Sequence, residues 1–511
     1  MQAEANAPPA MSKSALILAC LVLAGTNFMV VLDTTIANVS VAHIAGGLGI
    51  SPTEGTWVIT SYAVAEAICV PLTGWLARRF GEVKVFVAGM IGFGIFSFLC
   101  GMAPSLGALI VFRIGQGLAG GPIMPISQTL LLRIFPKDKH AMAMGIWSMT
   151  TITAPIFGPI LGGTISDNWG WNWIFFINVP IAIACSIAAV ALLRKAESKT
   201  ERMRVDVVGL GLLVTAVGAL QIMLDLGRER DWFGSSFIVT LAIIAAVGFA
   251  FLIVWEWFER EPIVDLKVFR HSGFTFSMLA LVFTYGAFFA TLVIIPQWLQ
   301  SSLGYTATWA GYAMAWNGVA AVFMAPVAAI LSQKMDPRIL VSGGILWLAA
   351  TSLIRVVWWT SGADFWTLAL PQLIQGAGMP FFFVPLTTLA LGAVNQNEVA
   401  SAAGLMNFLR TMSGAVATAI GVTMWENGAQ TTRDTLTGVL NGTGATMQSL
   451  QSRGFSVEQS RQFVSQLVDG QAIAITTINL FELFAALFVG AALIIWLAPK
   501  PKHAVALGEA H

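Results

Sequence analysis

The chain has 511 residues, of which 57% are hydrophobic and only 10% charged, far below the roughly 25% charged residues of soluble domains. That balance excludes an ordinary soluble enzyme. Lys plus Arg (27) nearly cancel Asp plus Glu (26), so nothing in the overall charge points to nucleic acid. The four cysteines, Cys20, Cys69, Cys100 and Cys185, all fall inside apolar runs, where a disulfide framework is not expected.

The first dozen residues, through Pro8, Pro9 and Lys13, lack the pattern of a secretory signal and read as a loose cytoplasmic tail. Beyond them, apolar segments recur in blocks close to the ~20 residues a helix needs to cross hydrocarbon. Fourteen spans are predicted, starting near Ser14, Thr56, Val85, Gly107, Ala141, Trp173, Val208, Phe237, Phe274, Thr308, Ile339, Trp366, Val399 and Gln471. The fold expected is therefore an all-α integral membrane protein. Lys and Arg are retained on the cytoplasmic side during insertion, and an inside N-terminus places 19 of the 27 basic residues there. Arg228, Arg230, Arg433, Arg453 and Arg461 fall outside, while Arg113, Arg355 and Arg410 lie within spans. Both termini are expected in the cytoplasm.

Gln116-Gly117 in the fourth span recurs as Gln375-Gly376 in the twelfth, and residues 143–158 align without gaps onto 402–417. Spans one to six then match nine to fourteen, as in transporters built from duplicated halves. The alternative is that Gly- and Ala-rich helices resemble one another by composition. The expected organisation is a tail (1–13), a six-helix bundle (14–194), a linker carrying an inserted helix pair (195–272), a second six-helix bundle (273–498) and a cytoplasmic tail (499–511). Within the second bundle, 427–470 reads as a long external loop rich in Thr, Gln, Ser and Gly. A helical stretch over 457–468 could present Phe463, Leu467 and Val468 on one face, either as a docking surface or as a solvated segment.

Ionisable groups inside hydrocarbon are the sharpest chemical signal, since insertion scales charge roughly 2.5 to 3.5 kcal/mol for Asp, Lys or Arg at a helix centre. Asp33 falls late in the first span, Glu66 in the second, Arg113 in the fourth, Arg410 in the thirteenth and Glu482 in the fourteenth. A carboxyl withdrawn from water holds its proton more tightly, and an approaching guanidinium releases it. That is the minimum machinery for proton coupling; the structural alternative is a capped or merely wetted acid. Gly158-Pro159-Ile160-Leu161-Gly162-Gly163 closes the fifth span with small residues and a proline, which allow close packing and a bend. There is no G-x-x-x-x-G-K-[ST] phosphate loop, no H-E-x-x-H and no G-x-S-x-G, and none of the five histidines is expected in a span. No cofactor, metal or catalytic residue is expected, and an embedded enzyme is disfavoured.

Gly74-Trp75-Leu76-Ala77-Arg78-Arg79-Phe80-Gly81, Arg113-Ile114-Gly115-Gln116-Gly117 and the Gly158-Pro159 segment resemble, in order and spacing, three signatures of the major facilitator transporters. Leu32-Asp33-Thr34-Thr35-Ile36-Ala37-Asn38-Val39 and Trp173-Ile174-Phe175-Phe176-Ile177-Asn178-Val179-Pro180 are similar to the fourteen-span drug:proton antiporter branch. The resemblance covers nearly the whole chain. It implies a major facilitator fold of two six-helix bundles plus the inserted pair. It also implies proton coupling around Asp33 and Arg113, which Glu66 would join, and a Gly158-Pro159 bend, with Gly162, that governs alternating access. Drugs would bind in a central apolar cavity, for which the predicted helix faces select Asn38, Gln116, Trp147, Trp298, Phe381, Asn407 and Arg410.

The signature at Gly74, Arg78, Arg79, Gly81 and Glu82 departs from the family pattern, which has an acid where Arg78 stands and a base where Glu82 stands. An Arg78 to Glu82 pair one turn apart could preserve a local ion pair, although a base at the first position is repelled by a helix N-terminus. Ser40 and Ala42 also stand where the family carries Ala and Pro. The leading expectation is export of amphipathic drugs in exchange for protons across a bacterial inner membrane. The resemblance adds a periplasmic membrane-fusion adaptor and, through it, an outer-membrane channel. The other readings are an exporter of one metabolite or lipid-like molecule, an assembly scaffold for such an adaptor, and a channel, for which no filter-like sequence is present.

Overall fold

The computed structural model describes residues 11–136, 139–201, 204–360, 362–439 and 443–500, and the described residues contain helices and no strand. Most of the tails expected at 1–13 and 499–511 lie outside them. Helix α1 (Lys13–Leu48) starts where the Ser12 hydroxyl accepts from the Ala15 amide and ends at Gly49 in the left-handed region. It is longer than the sequence suggested, so Asp33 sits mid-helix. His43, expected in a connection, lies on its last turns and pairs with Asp167 at 2.9 Å.

A single turn, α2 (Pro52–Gly55), leads to α3 (Trp57–Cys69) and α4 (Thr73–Phe80), which together make the second crossing. Then come α5 (Glu82–Gly101), α6 (Leu106–Gly120), α7 (Ile123–Ile134), α8 (His140–Trp169), the short α9 (Trp173–Phe176) and α10 (Asn178–Leu193). The connection between halves carries α11 (Val207–Leu226) and α12 (Ser236–Phe258), which pack on each other. The second half comprises α13 (Ser272–Ser302), α14 (Ala307–Lys334), α15 (Pro337–Trp358), α16 (Phe365–Gly392), α17 (Val399–Val439), α18 (Thr443–Ser452) and α19 (Val457–Ile494).

Among the described residues, twelve helical segments are long and apolar enough to cross a membrane, and a thirteenth is counted if the two arms of α8 are one span. Helix α17 is long enough but does not pass that test, because its inward face carries polar residues such as Asn407 and Arg410. In the first half α1 packs on α8 and α10, and α5 on α6 and α10; in the second, α13 packs on α17 and α19, and α15 on α16 and α19. The same order of neighbours thus recurs in two bundles. They meet where α8 packs on α14 and α16, and where α4 and α7 pack on α17.

The described part of 427–470 is mostly helical, including the helix expected over 457–468. Helix α17 runs on to Val439 and α19 begins at Val457, behind a capping box in which the Ser456 hydroxyl accepts from the Gln459 amide and the Gln459 side chain from the Ser456 amide. Arg433 pairs with Asp469 at 2.7 Å, and Trp425 Nε1 donates to Thr477 at 2.8 Å. These cross-links tie the extension of α17 to the start of α19, so that the two helices run together. Phe463 and Leu467 are exposed on the projection.

Candidate functional site

Buried polar groups in hydrocarbon must find partners within the protein, and the first half collects them around Asp33. The carboxylate is 2% exposed. Its Oδ2 accepts from Arg113 Nη1 at 2.7 Å, and its Oδ1 accepts from Asn178 Nδ2 at 2.7 Å and Gln116 Nε2 at 3.1 Å. Arg113 is in turn fixed by Gln116 Oε1 at 2.8 Å and the Val58 carbonyl at 3.1 Å, with its guanidinium carbon 4.2 Å from the Tyr62 ring centre. Asn178 also donates to Ser97 Oγ at 3.1 Å, which donates to the Phe175 carbonyl. Five helices, α1, α3, α5, α6 and α10, therefore converge on one carboxylate.

Glu66 is half-buried on α3 and lies within electrostatic range of Arg410, Arg113 and Asp33. It stands between the Asp33 cluster and the seam of the two bundles. At the seam, Asn407 Nδ2 donates to Gln128 Oε1 at 2.7 Å, and Arg410 touches the Met124 sulfur. The Arg410 guanidinium carbon lies 5.5 to 5.9 Å from the ring centres of Tyr285, Trp147 and Phe383, and Trp147 Nε1 donates to Ser127 at 2.8 Å. Arg410 has no carboxylate bonded to it among the described residues, and its Nη1 has no hydrogen-bond partner there.

The residues selected as cavity lining thus part company. Trp147, Asn407 and Arg410 meet at the seam. Gln116 belongs to the Asp33 cluster, where it is fully buried, because the fourth-span face that carries Arg113 turns inward within its own bundle. Trp298 stacks on Trp359 at 5.1 Å inside the second bundle. Phe381 lines a lateral pocket of about 360 Å³ between α14, α15 and α16, and Asn38 is exposed on α1. Glu482 is likewise exposed, away from the cluster.

The segments that the sequence singled out for gating fall at two places. Helix α8 bends by 50° between Met142–Pro155 and Ile160–Trp169, where prolines remove backbone bonds. Pro159 is in this stretch, and its side chain lies outside the described residues. Gly158 and Gly162 lie directly against α1: a Cβ at Gly162 would be 3.1 Å from the Ile36 carbonyl oxygen. At the end where the basic residues gather, Gly74 lets α4 approach α17 so closely that a Cβ would lie 2.7 Å from Ser401 Cα.

The anticipated Arg78 to Glu82 pair does not form. Gly81 adopts φ 95°, which ends α4 and starts α5 in a new direction, so residues 78 and 82 are not one turn apart on a common helix. Glu82 instead accepts from Arg133 at 2.7 Å. The N-terminus of α5 is capped by Glu197, whose oxygens accept from the Val83 and Lys84 amides at 3.0 and 3.2 Å. An acid does meet a helix start here, supplied from outside the signature. Arg79 lies over Trp75 and Phe80.

Three groups escaped the sequence reading. Asn178 stood in a quoted motif without a role; Glu197 lay in a charged linker. Asp225, at the end of α11, accepts from Gln221 Nε2 at 3.0 Å and faces the first bundle through α11 packing on α3. Its position at the tail of a twenty-residue apolar helix was the available signal.

Two helical bundles, a helix pair in the connection between them and a charge cluster buried at membrane depth define a membrane transporter rather than an enzyme. The chain belongs to the Major Facilitator Superfamily, whose profile matches residues 23–418. It is 44% identical over 490 residues to the multidrug export protein EmrB of Escherichia coli K12, covering 95% of this chain and 96% of that one. It is 42% identical over 499 residues to the fatty acid resistance protein FarB of Neisseria gonorrhoeae, covering 97% and 98%. Among solved structures, the proton:xylose symporter XylE matches with a TM-score of 0.60 at 13% identity, over 96% of this chain and 97% of that one. That likeness concerns the fold alone.

Proposed function

We propose that the chain exports amphipathic, largely apolar compounds in exchange for protons, by alternating access between its two bundles. The observation that carries this reading is the buried Asp33 held by Arg113, Gln116 and Asn178. Protonating Asp33 removes the charge that orders those three donors, and α1 is then free to shift against α6 and α10. Because α8 packs on α1 at Gly158 and Gly162 and on α14 across the seam, such a shift reaches the second bundle. Glu66, between Arg113 and Arg410, offers the route by which loading at the seam and protonation at Asp33 sense each other. Each proton supplies ~2.3 kcal/mol per 100 mV and ~1.4 kcal/mol per pH unit. One proton then sustains a several-hundred-fold substrate gradient.

Within this reading the substrate class has two versions. The relatives named for multidrug export support a range of largely apolar drugs resting on Trp147, Tyr285 and Phe383. Arg410, ringed by those aromatics without a bonded acid, favours an amphiphile with a carboxylate head, and one relative is named for fatty acid resistance. The projection of α17, α18 and α19 is the surface to which a periplasmic adaptor of a tripartite pump would dock, with both termini on the cytoplasmic side of a bacterial inner membrane.

Efflux from proteoliposomes under an imposed pH step tests the coupling. Asp33→Asn is expected to abolish proton-driven transport while leaving substrate binding in place; retained proton-driven transport would overturn the assignment. Arg410→Gln is expected to reduce transport of carboxylated substrates at least tenfold more than that of neutral ones.

A further inference from the structure

The inserted helix pair carries an acid that the transport reading leaves unused. Asp225 lies in the last turn of α11, a membrane-spanning helix, and an ionisable side chain at that depth requires partners. Farther into the span the contact with the first bundle is apolar, with Gly218 facing Val64 of α3. At its end, Asp225 Oδ1 accepts from Gln221 Nε2 at 3.0 Å, and the buried Thr60 hydroxyl of α3 faces the same carboxyl. Asp225 Oδ2 and Gln221 Oε1 are both closed off from solvent without a hydrogen-bond partner among the described residues. Two acceptor oxygens thus share one site and lack a donor.

The charges around this contact are directed elsewhere. Arg228 pairs with Glu426 of α17 at 2.8 Å, and Arg230 lies over the Phe237 ring. Glu229 and Asp231 are exposed in the turn between α11 and α12. On α3 the Tyr62 ring faces Arg113, and Glu66 lies in range of Arg410, Arg113 and Asp33. The one acid of α12, Glu256, is at the opposite end of the pair. Asp33 is met by a guanidinium, whereas the partners of Asp225 are neutral. A proton on Oδ2 removes a charge that no cation balances and supplies the missing donor: Gln221 Nε2 donates to Oδ1, and Oδ2 donates to Gln221 Oε1.

We propose that Asp225 is a second proton-binding site, filled while α11 is packed on α3 and emptied when that contact opens to water. The end of α11 touches both bundles, the first through Thr60 and the second through the Arg228 pair with Glu426. Thr60 is two residues from Val58, whose carbonyl holds Arg113, so the site borders the turn of α3 that serves the Asp33 cluster. The protonation of Asp225 stands by itself; its part in transport rests on the proton exchange proposed above.

The test is infrared difference spectroscopy of the full-length protein in lipid vesicles, titrated in pH. A carbonyl stretch from a protonated carboxyl is expected, lost in Asp225→Asn and retained in Asp33→Asn and Arg228→Gln. Gln221→Leu should move that band to higher frequency, because the carbonyl loses its donor; this reads the site even where Asp225→Asn fails to fold. In proteoliposomes held at a constant pH difference, the dependence of transport on absolute pH should lose one step in Asp225→Asn. A band that survives Asp225→Asn, or that Gln221→Leu does not move, would overturn the site. A band lost only in Asp33→Asn would do so too, while leaving the exchange reading intact. An unchanged transport profile in Asp225→Asn would overturn its part in transport.

Discussion

Each bundle buries an arginine at membrane depth, and the two are accommodated in different ways. Arg113 faces Asp33, with Gln116 and Asn178 completing the shell around the acid. Arg355, equally buried on α15, donates to the oxygens of Gln372 and Gln375 on α16, and its guanidinium lies 5.4 Å from the Trp359 ring centre and 5.3 Å from that of Phe481. No acid is bonded to it among the described residues, and its Nε and Nη1 have no hydrogen-bond partner there. The repeated glutamine, Gln116 in one half and Gln375 in the other, touches an arginine in both. Only one half adds a carboxylate. The proposed proton coupling accordingly belongs to the first bundle, since Arg355 in the second has no bonded acid among the described residues.

The comparison breaks most decisively with paired substitutions. Arg113→Met leaves the Asp33 carboxylate buried without its cation and is expected to cost about 3 to 5 kcal/mol, whereas Arg355→Met removes an unbalanced buried charge and should leave the thermal midpoint unchanged or raised. Equal losses in unfolding experiments would show that the halves are electrostatically equivalent. Asn178→Ala withdraws one of the three donors to Asp33 and should cost about 1.5 to 3 kcal/mol; Gln372→Ala, beside Arg355, should cost less on the same assay.

A third contrast concerns the turns at the basic end. Gly81 has a positive φ, and a Cβ there would lie 2.7 Å from Glu197 Cδ, so Gly81→Ala should cost about 1 to 3 kcal/mol and loosen the α5 cap. The turn before α15 relies instead on Asp336, which caps the Arg338 amide and pairs with its guanidinium at 2.8 Å. Hydrogen bonding to Arg338 holds the Asp336 carboxyl below the usual carboxylate range. Its stabilisation is present above the unfolded value of about 3.9 and is lost as pH falls through the depressed native one. Asp336→Asn should cost about 1 kcal/mol or less near neutral pH, and the gap from the unsubstituted protein should close on acidification.

Much of this was legible in the sequence because hydrocarbon is an unforgiving solvent: apolar blocks marked the helices, and Asp33, Glu66, Arg113 and Arg410 stood out against them. What spacing could not supply was which face of a helix meets which neighbour. Gln116, three residues from Arg113, shares its inward face and serves the acid rather than a cavity. Trp298 and Phe381 turn into their own bundle. Arg78 and Glu82 were separated by the φ of one glycine, and the acid capping α5 came from more than a hundred residues away. Of the polar stretch 427–470, the helix expected over 457–468 is present as the start of α19, behind its capping box, whereas the continuation of α17 to Val439, with Arg433 paired to Asp469, was hidden by a composition rich in Thr, Gln, Ser and Gly.

Helix α17 has 41 residues, about 60 Å at 1.5 Å per residue, against roughly 30 Å of hydrocarbon. Its far portion, strapped to α19, is a rigid lever arm rooted beside Arg410. A tilt of about 10° at the root, modest for domain motions, would swing its tip by about 8 Å. Movements too small to reshape the seam would thus be magnified into a displacement that another molecule, resting on that tip, could register.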